Sequence, residues 1–128
     1  MANIEDVSHL LKVMKQLRDP VEGCAWDLEQ DHSSLIPYLE EESQELIKAI
    51  ESDDSDNIKE ELGDVLLQVI FHSQIVHENK EFDFFDVVEG LKQKLIRRHP
   101  FVFDKNKKHT KEEQAAMWDK IKRAEKGG

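Results

Sequence analysis

The stretch "SDNIKEELGDVLLQVIFHSQIVHEN", residues 55–79, decides the fold. Ile58, Leu62, Val65, Leu66, Val69, Ile70 and Val76 recur every three or four residues, which predicts a long amphipathic helix. No alternating strand pattern accompanies it anywhere in the chain. Upstream, Ile4, Val7, Leu10, Leu11, Met14 and Leu17 predict a first helix, and "RDPVEGCAWD" with Pro20 and Gly23 makes residues 19–31 a loop. A second helix is expected from Ser33 or Ser34, with Pro37 tolerated in its first turn. It ends near "ESDDSD", which also caps the next helix. Downstream, a helix from about Asp83 runs through Val87, Val88, Leu91, Leu95 and Ile96 to "HP" at Pro100. "FVFDKNKKH" reads as a loop, and Thr110 with Glu113 has capping-box spacing for a last helix. About five helices with short connections predict a single all-α domain, 1–128, of bundle type.

Bulk properties narrow the function. A formal charge of −10, from 18 Lys+Arg and 28 Asp+Glu, argues against general nucleic-acid or anionic-membrane binding. The single cysteine, Cys24, permits no internal disulfide, so a reducing cytoplasm is the expected location. It has no His–acid partner nearby and reads as a packing residue, not a nucleophile.

The acidic residues are the unusual feature. In "YLEEESQELIKAI", residues 38–50, a helical wheel gathers Leu35, Leu39, Leu46 and Ile50 on one side. Glu42 falls inside that stripe and Glu45 at its edge, while Glu40 and Glu41 lie progressively outside. A carboxylate on an apolar face is costly unless it is paired or metal-bound. The same pattern returns in "EELGDVLLQV", where Glu61 and Asp64 border the Leu62/Val65/Val69 stripe. The short turn between the helices predicts antiparallel packing, with Glu42, Glu45, Glu61 and Asp64 converging. A hard divalent cation with oxygen ligands, Mg²⁺ or Mn²⁺, would relieve their repulsion. On wheel geometry alone, a metal site and a satisfied acidic network both remain open. A ferritin-like di-iron site is disfavoured, because Glu29 and His32 give the sole Glu-x-x-His spacing. His72 and His77, five apart, read as surface or packing residues.

At this point the sequence is recognisable as a whole. "LRDPVEGCAWDLEQDHSSLIPYLEEESQELIKAI", "EELGDVLLQVIFHSQI", "KLIRRHPFVF" and "MWDKIKRAEK" resemble, in order, the MazG nucleoside triphosphate pyrophosphohydrolases. The resemblance implies an all-α, Mg²⁺-dependent enzyme that cleaves a nucleoside triphosphate between its α and β phosphates. It also implies a homodimer or higher homo-oligomer with sites built from two subunits, in nucleotide-pool housekeeping. By position, it makes Glu42, Glu45, Glu61 and Asp64 the metal ligands, with Glu41 a base or outer-shell candidate beside Glu42. Lys94 and Arg98 match positions contacting the triphosphate, and Trp118 and Lys122 match positions holding the nucleotide. Many members carry two copies of the domain, and this chain looks like the N-terminal copy. It departs from the family's "RRHPHVF" at Phe101, so any polar contact of that histidine is absent.

These assignments agree with elementary chemistry. Lys94 and Arg98, four apart, can face one anion from one helix. Trp118 is able to stack on a base. The alternative readings are Arg97 and Arg98 as cations at a helix C-terminus and Trp118 as core, while Trp26 either shapes the nucleotide pocket or anchors its loop, with anchoring preferred. At the level of function, the alternatives are a non-hydrolysing nucleotide sensor and a protein-interaction module of the same fold.

Overall fold

The computed structural model describes residues 3–103 and 109–127. Among these residues it is all-helical. The helices are α1 (Ile4–Leu17), α2 (Ala25–Glu29), α3 (His32–Ser52), α4 (Ser55–Glu78), α5 (Phe84–Arg98), α6 (Pro100–Phe103) and α7 (Lys111–Gly127). No helix among the described residues is long and apolar enough to cross a membrane. The chain divides into two compact units, one running up to Phe84 and the other starting at Phe85.

Seven helices replace the expected five, because two predicted loops each hold a short helix. Residues 25–29 of the 19–31 segment form α2, and Pro100–Phe103 form α6. Both are too short to show an apolar period, which is why patterning missed them. Of the rest of the "FVFDKNKKH" loop, residues 104–108 lie outside the described residues. The start of α3 also differs. Its N-cap is Asp31, in a reciprocal box with Ser34, so Pro37 is the sixth helical residue and not part of the first turn.

In the first unit α3 and α4 are the principal packing pair. Asp53, in the left-handed region at φ 57°, ends α3, and Asp54 caps α4 by accepting from the backbone N–H groups of Asp56 and Asn57. Two residues therefore reverse the chain, and the helices run antiparallel. Met14 of α1, Leu35 of α3 and Ile70, Phe71 and Ile75 of α4 form the core, with Leu11 and Phe84 packed against it.

The α1–α2 connection is built around two residues. Arg18 donates through Nη1 to the carbonyls of Asp27 and Gln30, at 2.6 and 3.0 Å, and through Nε and Nη2 to the Glu78 carboxylate at 2.8 and 2.7 Å. Its guanidinium also lies 5.6 Å from the centre of the Phe71 ring. One side chain thus ties the end of α1 to α2 and to the last turn of α4. Gly23 donates to the Asp19 carbonyl at 2.9 Å, and a Cβ there would come under 3.0 Å from backbone atoms of Leu17 and Asp19. The Asp19 carboxylate accepts from the N–H groups of Val21 and Glu22, and the Glu22 bond, then the Val21 bond, hold its pKa below the usual value.

In the second unit, Thr110 and Glu113 form the expected capping box at the start of α7.

Candidate functional site

The antiparallel pairing of α3 and α4 brings carboxylates together. Glu42 from α3 and Glu61 and Asp64 from α4 each offer an oxygen within 4.8 Å of the others. Glu61 and Asp64 are one turn apart, so a single α4 face presents both across from Glu42. Glu45, one turn beyond Glu42, lies outside this group of three, and its carboxylate is 3.7 Å from the ammonium of Lys48. Glu41 is exposed beside the cluster.

The electrostatics are those of crowded anions. Burial pushes the Glu42 carboxyl up, and the charges of Asp64, Glu41 and Glu45 add to it, against a smaller opposing effect of hydrogen bonding with Glu61. Burial likewise raises Glu61, with Asp64, Glu42, Glu45 and Glu60 contributing. Oε2 of Glu61 is shielded from solvent and has no hydrogen-bond partner among the described residues. An orphaned carboxylate oxygen on a residue that converges with two more carboxylates fits a cation site, since a cation replaces the missing donors. All-oxygen donors suit a hard divalent ion.

The remaining candidates belong to the second unit. Lys94 is exposed on α5, one turn before Arg98. Arg98 donates through Nε and Nη2 to Oε1 of Glu125, at 3.0 and 2.7 Å, and its guanidinium lies 5.4 Å from the Trp118 ring centre. Arg97 donates to the other oxygen of the same carboxylate. Hydrogen bonds from Arg98, then Arg97, pull the Glu125 pKa down to about 2. Trp118 is half-buried, with His99 edge-on at 4.8 Å, and Lys122 lies one turn further along α7.

Three features were not legible beforehand. Glu125 was not singled out, although it is seven residues after Trp118 and three after Lys122 and so shares their helix face. Gln68, one turn past Asp64, is buried with an unpartnered Oε1. His72, expected at the surface or in packing, pairs with His32 across α3 and α4, with Nδ1 atoms 2.6 Å apart and rings within 5° of parallel. Trp26 packs edge-on against Tyr38 and Phe71, at 5.5 and 6.5 Å between ring centres, and keeps part of its surface exposed.

Residues 30–103 match the MazG nucleotide pyrophosphohydrolase domain, a span that covers the acidic cluster and runs to the end of α6. The chain belongs to the MazG family. A Thermotoga maritima protein named nucleoside triphosphate pyrophosphohydrolase/pyrophosphatase MazG is 51% identical over 118 residues, covering 92% of this chain and 44% of that protein. The Escherichia coli K12 nucleoside triphosphate pyrophosphohydrolase is 41% identical over 123 residues, covering 96% and 47%. The chain therefore spans somewhat under half the length of these MazG relatives. A crystal structure of a mazG-related protein from Thermotoga maritima superposes with a TM-score of 0.73 at 22% identity, over 94% of this chain and 99% of that one. That similarity establishes the all-α MazG fold.

Proposed function

We propose that this chain hydrolyses nucleoside triphosphates to the nucleoside monophosphate and pyrophosphate, using Mg²⁺, with Mn²⁺ as a substitute. The observation that carries the reading is the convergence of Glu42, Glu61 and Asp64 in a MazG-family chain. Relatives named for this activity support it. In this reading Glu42, Glu45, Glu61 and Asp64 hold the cation. A bound divalent cation supplies charge neutralisation for phosphate oxygens and a more acidic water. Glu41 would take a proton from the attacking water or orient Glu42. Lys94 and Arg98 bind the triphosphate, the arginine through its planar fork, while Trp118 stacks on the base and Lys122 holds the nucleotide. Nucleotide-pool housekeeping in the cytoplasm is the role that fits a broadly base-tolerant enzyme.

Self-association is part of the proposal. None of the described residues of α5 is buried, and Val88, Leu91 and Leu95 form an exposed apolar stripe along it. A second copy of the chain is the occupant, and light scattering is expected to give at least a dimer mass.

The test is phosphate release from ATP and the other triphosphates, with and without added inorganic pyrophosphatase. Colour that depends on both the pyrophosphatase and Mg²⁺ supports the reading. No release from folded protein under either condition removes it.

A further inference from the structure

We infer that Glu125 is a positioning residue for the triphosphate arm of the site: it holds Arg98 by one edge so that the opposite end of the guanidinium faces a phosphate. This rests on the reading of Arg98 as a triphosphate contact and adds a residue outside the 30–103 family match.

A guanidinium has five N–H groups in a rigid fork. Glu125 takes the Nε–Nη2 edge of Arg98. Among the described residues Nη1 donates to nothing, so the Nη1–Nη2 end stays open for a second anion. The same group lies over the Trp118 ring, 5.4 Å from its centre. One edge is thus held by Glu125, the group packs on Trp118, and one end is left.

Two further details favour positioning over simple neutralisation. A single carboxylate bridges consecutive arginines, Oε2 to Arg97 and Oε1 to Arg98. Arg97 and Arg98 together bring two positive charges against the one negative charge of Glu125. The cluster therefore keeps a net positive charge, which a polyphosphate needs. Moreover, Trp118, Lys122 and Glu125 follow one another at steps of four and three on one face of α7. That face carries a base-stacking ring, a cation and the clamp for a second cation. An unpaired arginine side chain has many rotamers, and fixing one beforehand removes an ordering cost from binding.

The test compares Glu125→Gln, Glu125→Ala and Arg98→Ala with the unmodified chain, with folding checked by circular dichroism. Steady-state kinetics on ATP with Mg²⁺ and calorimetric binding of tripolyphosphate and of adenosine are the readouts. The expected result is a KM for ATP, and a tripolyphosphate Kd, raised about tenfold in both Glu125 variants. In the same variants kcat should stay within about twofold and adenosine affinity should not change. A general disturbance of α7 would weaken adenosine equally, and that result overturns the inference. Unchanged or tighter ATP binding in the Glu125 variants also overturns it, the latter showing that Glu125 competes with phosphate. If Arg98→Ala itself leaves KM unchanged, the triphosphate reading of Arg98 fails and the inference fails with it. If Arg98→Ala raises KM while the Glu125 variants do not, only the inference fails.

Discussion

The carboxylates of Glu42 on α3 and Asp64 on α4 approach within 4.8 Å across the interface between the two helices. Two anions at that range destabilise the fold unless a proton or a cation stands between them.

Neutralising one member should therefore separate stability from function. In Glu42→Gln and Asp64→Asn, the metal-free protein at pH 8 should melt at or above the temperature of the unmodified chain. The unmodified chain should gain about 2.7 kcal/mol when Mg²⁺ or Mn²⁺ stands at a hundred times its Kd. Both variants should lose most of that gain, and turnover should fall by about 100-fold or more. Calorimetric melting with and without the metal measures the first two effects.

The "LRDPVEGC" block predicts a stability effect far from the acids. Arg18→Ala removes all four donor contacts and leaves two carbonyls and Glu78 without them, a loss of about 2–3 kcal/mol. Gly23→Ala forces a Cβ against the Leu17 and Asp19 backbone, costing about 3 kcal/mol as the turn shifts. Urea unfolding should show both losses, and for Arg18→Ala the amides of α2 should exchange fastest.

The paired imidazoles predict a pH dependence with a definite sign. Burial, then the charge of His32, holds His72 below the ordinary histidine value of 6.5. The native state thus binds fewer protons than the unfolded chain around that pH, so stability rises with pH. His72 costs nothing well above 6.5, and its penalty grows as pH falls through 6.5 toward the lower folded value. The parallel rings bring two Nδ1 atoms to 2.6 Å, a separation that one shared proton fits and a second does not. His32 begins α3 beside the Asp31 carboxylate. Melting temperature followed from pH 8 to pH 5 should drop more steeply for the unmodified chain than for His72→Gln. Parallel curves for the two proteins would refute this origin.

Much of this was readable before the fold was known, and the boundary has a physical cause. The α4 stripe and the position of Glu42 within the apolar face of α3 follow from a period of 3.6, a local property. The Thr110–Glu113 cap is local too. Helices α2 and α6 are shorter than the window in which such a period shows. The start of α3 was misplaced because Asp31, like Ser33 and Ser34, is a good cap, and only the backbone geometry chooses among them. Arg18 and Glu78 are sixty residues apart, so neither announces the other. Glu125 sits in a charged run at the end of α7, where a single structural carboxylate looks like any solvated one.

Product identification shows most directly which phosphorus is attacked. ATP incubated with the folded chain and Mg²⁺, followed by ³¹P NMR, should yield AMP and pyrophosphate in equal amounts, with no ADP. Formation of ADP and inorganic phosphate, or no product at all from folded protein, would contradict the account.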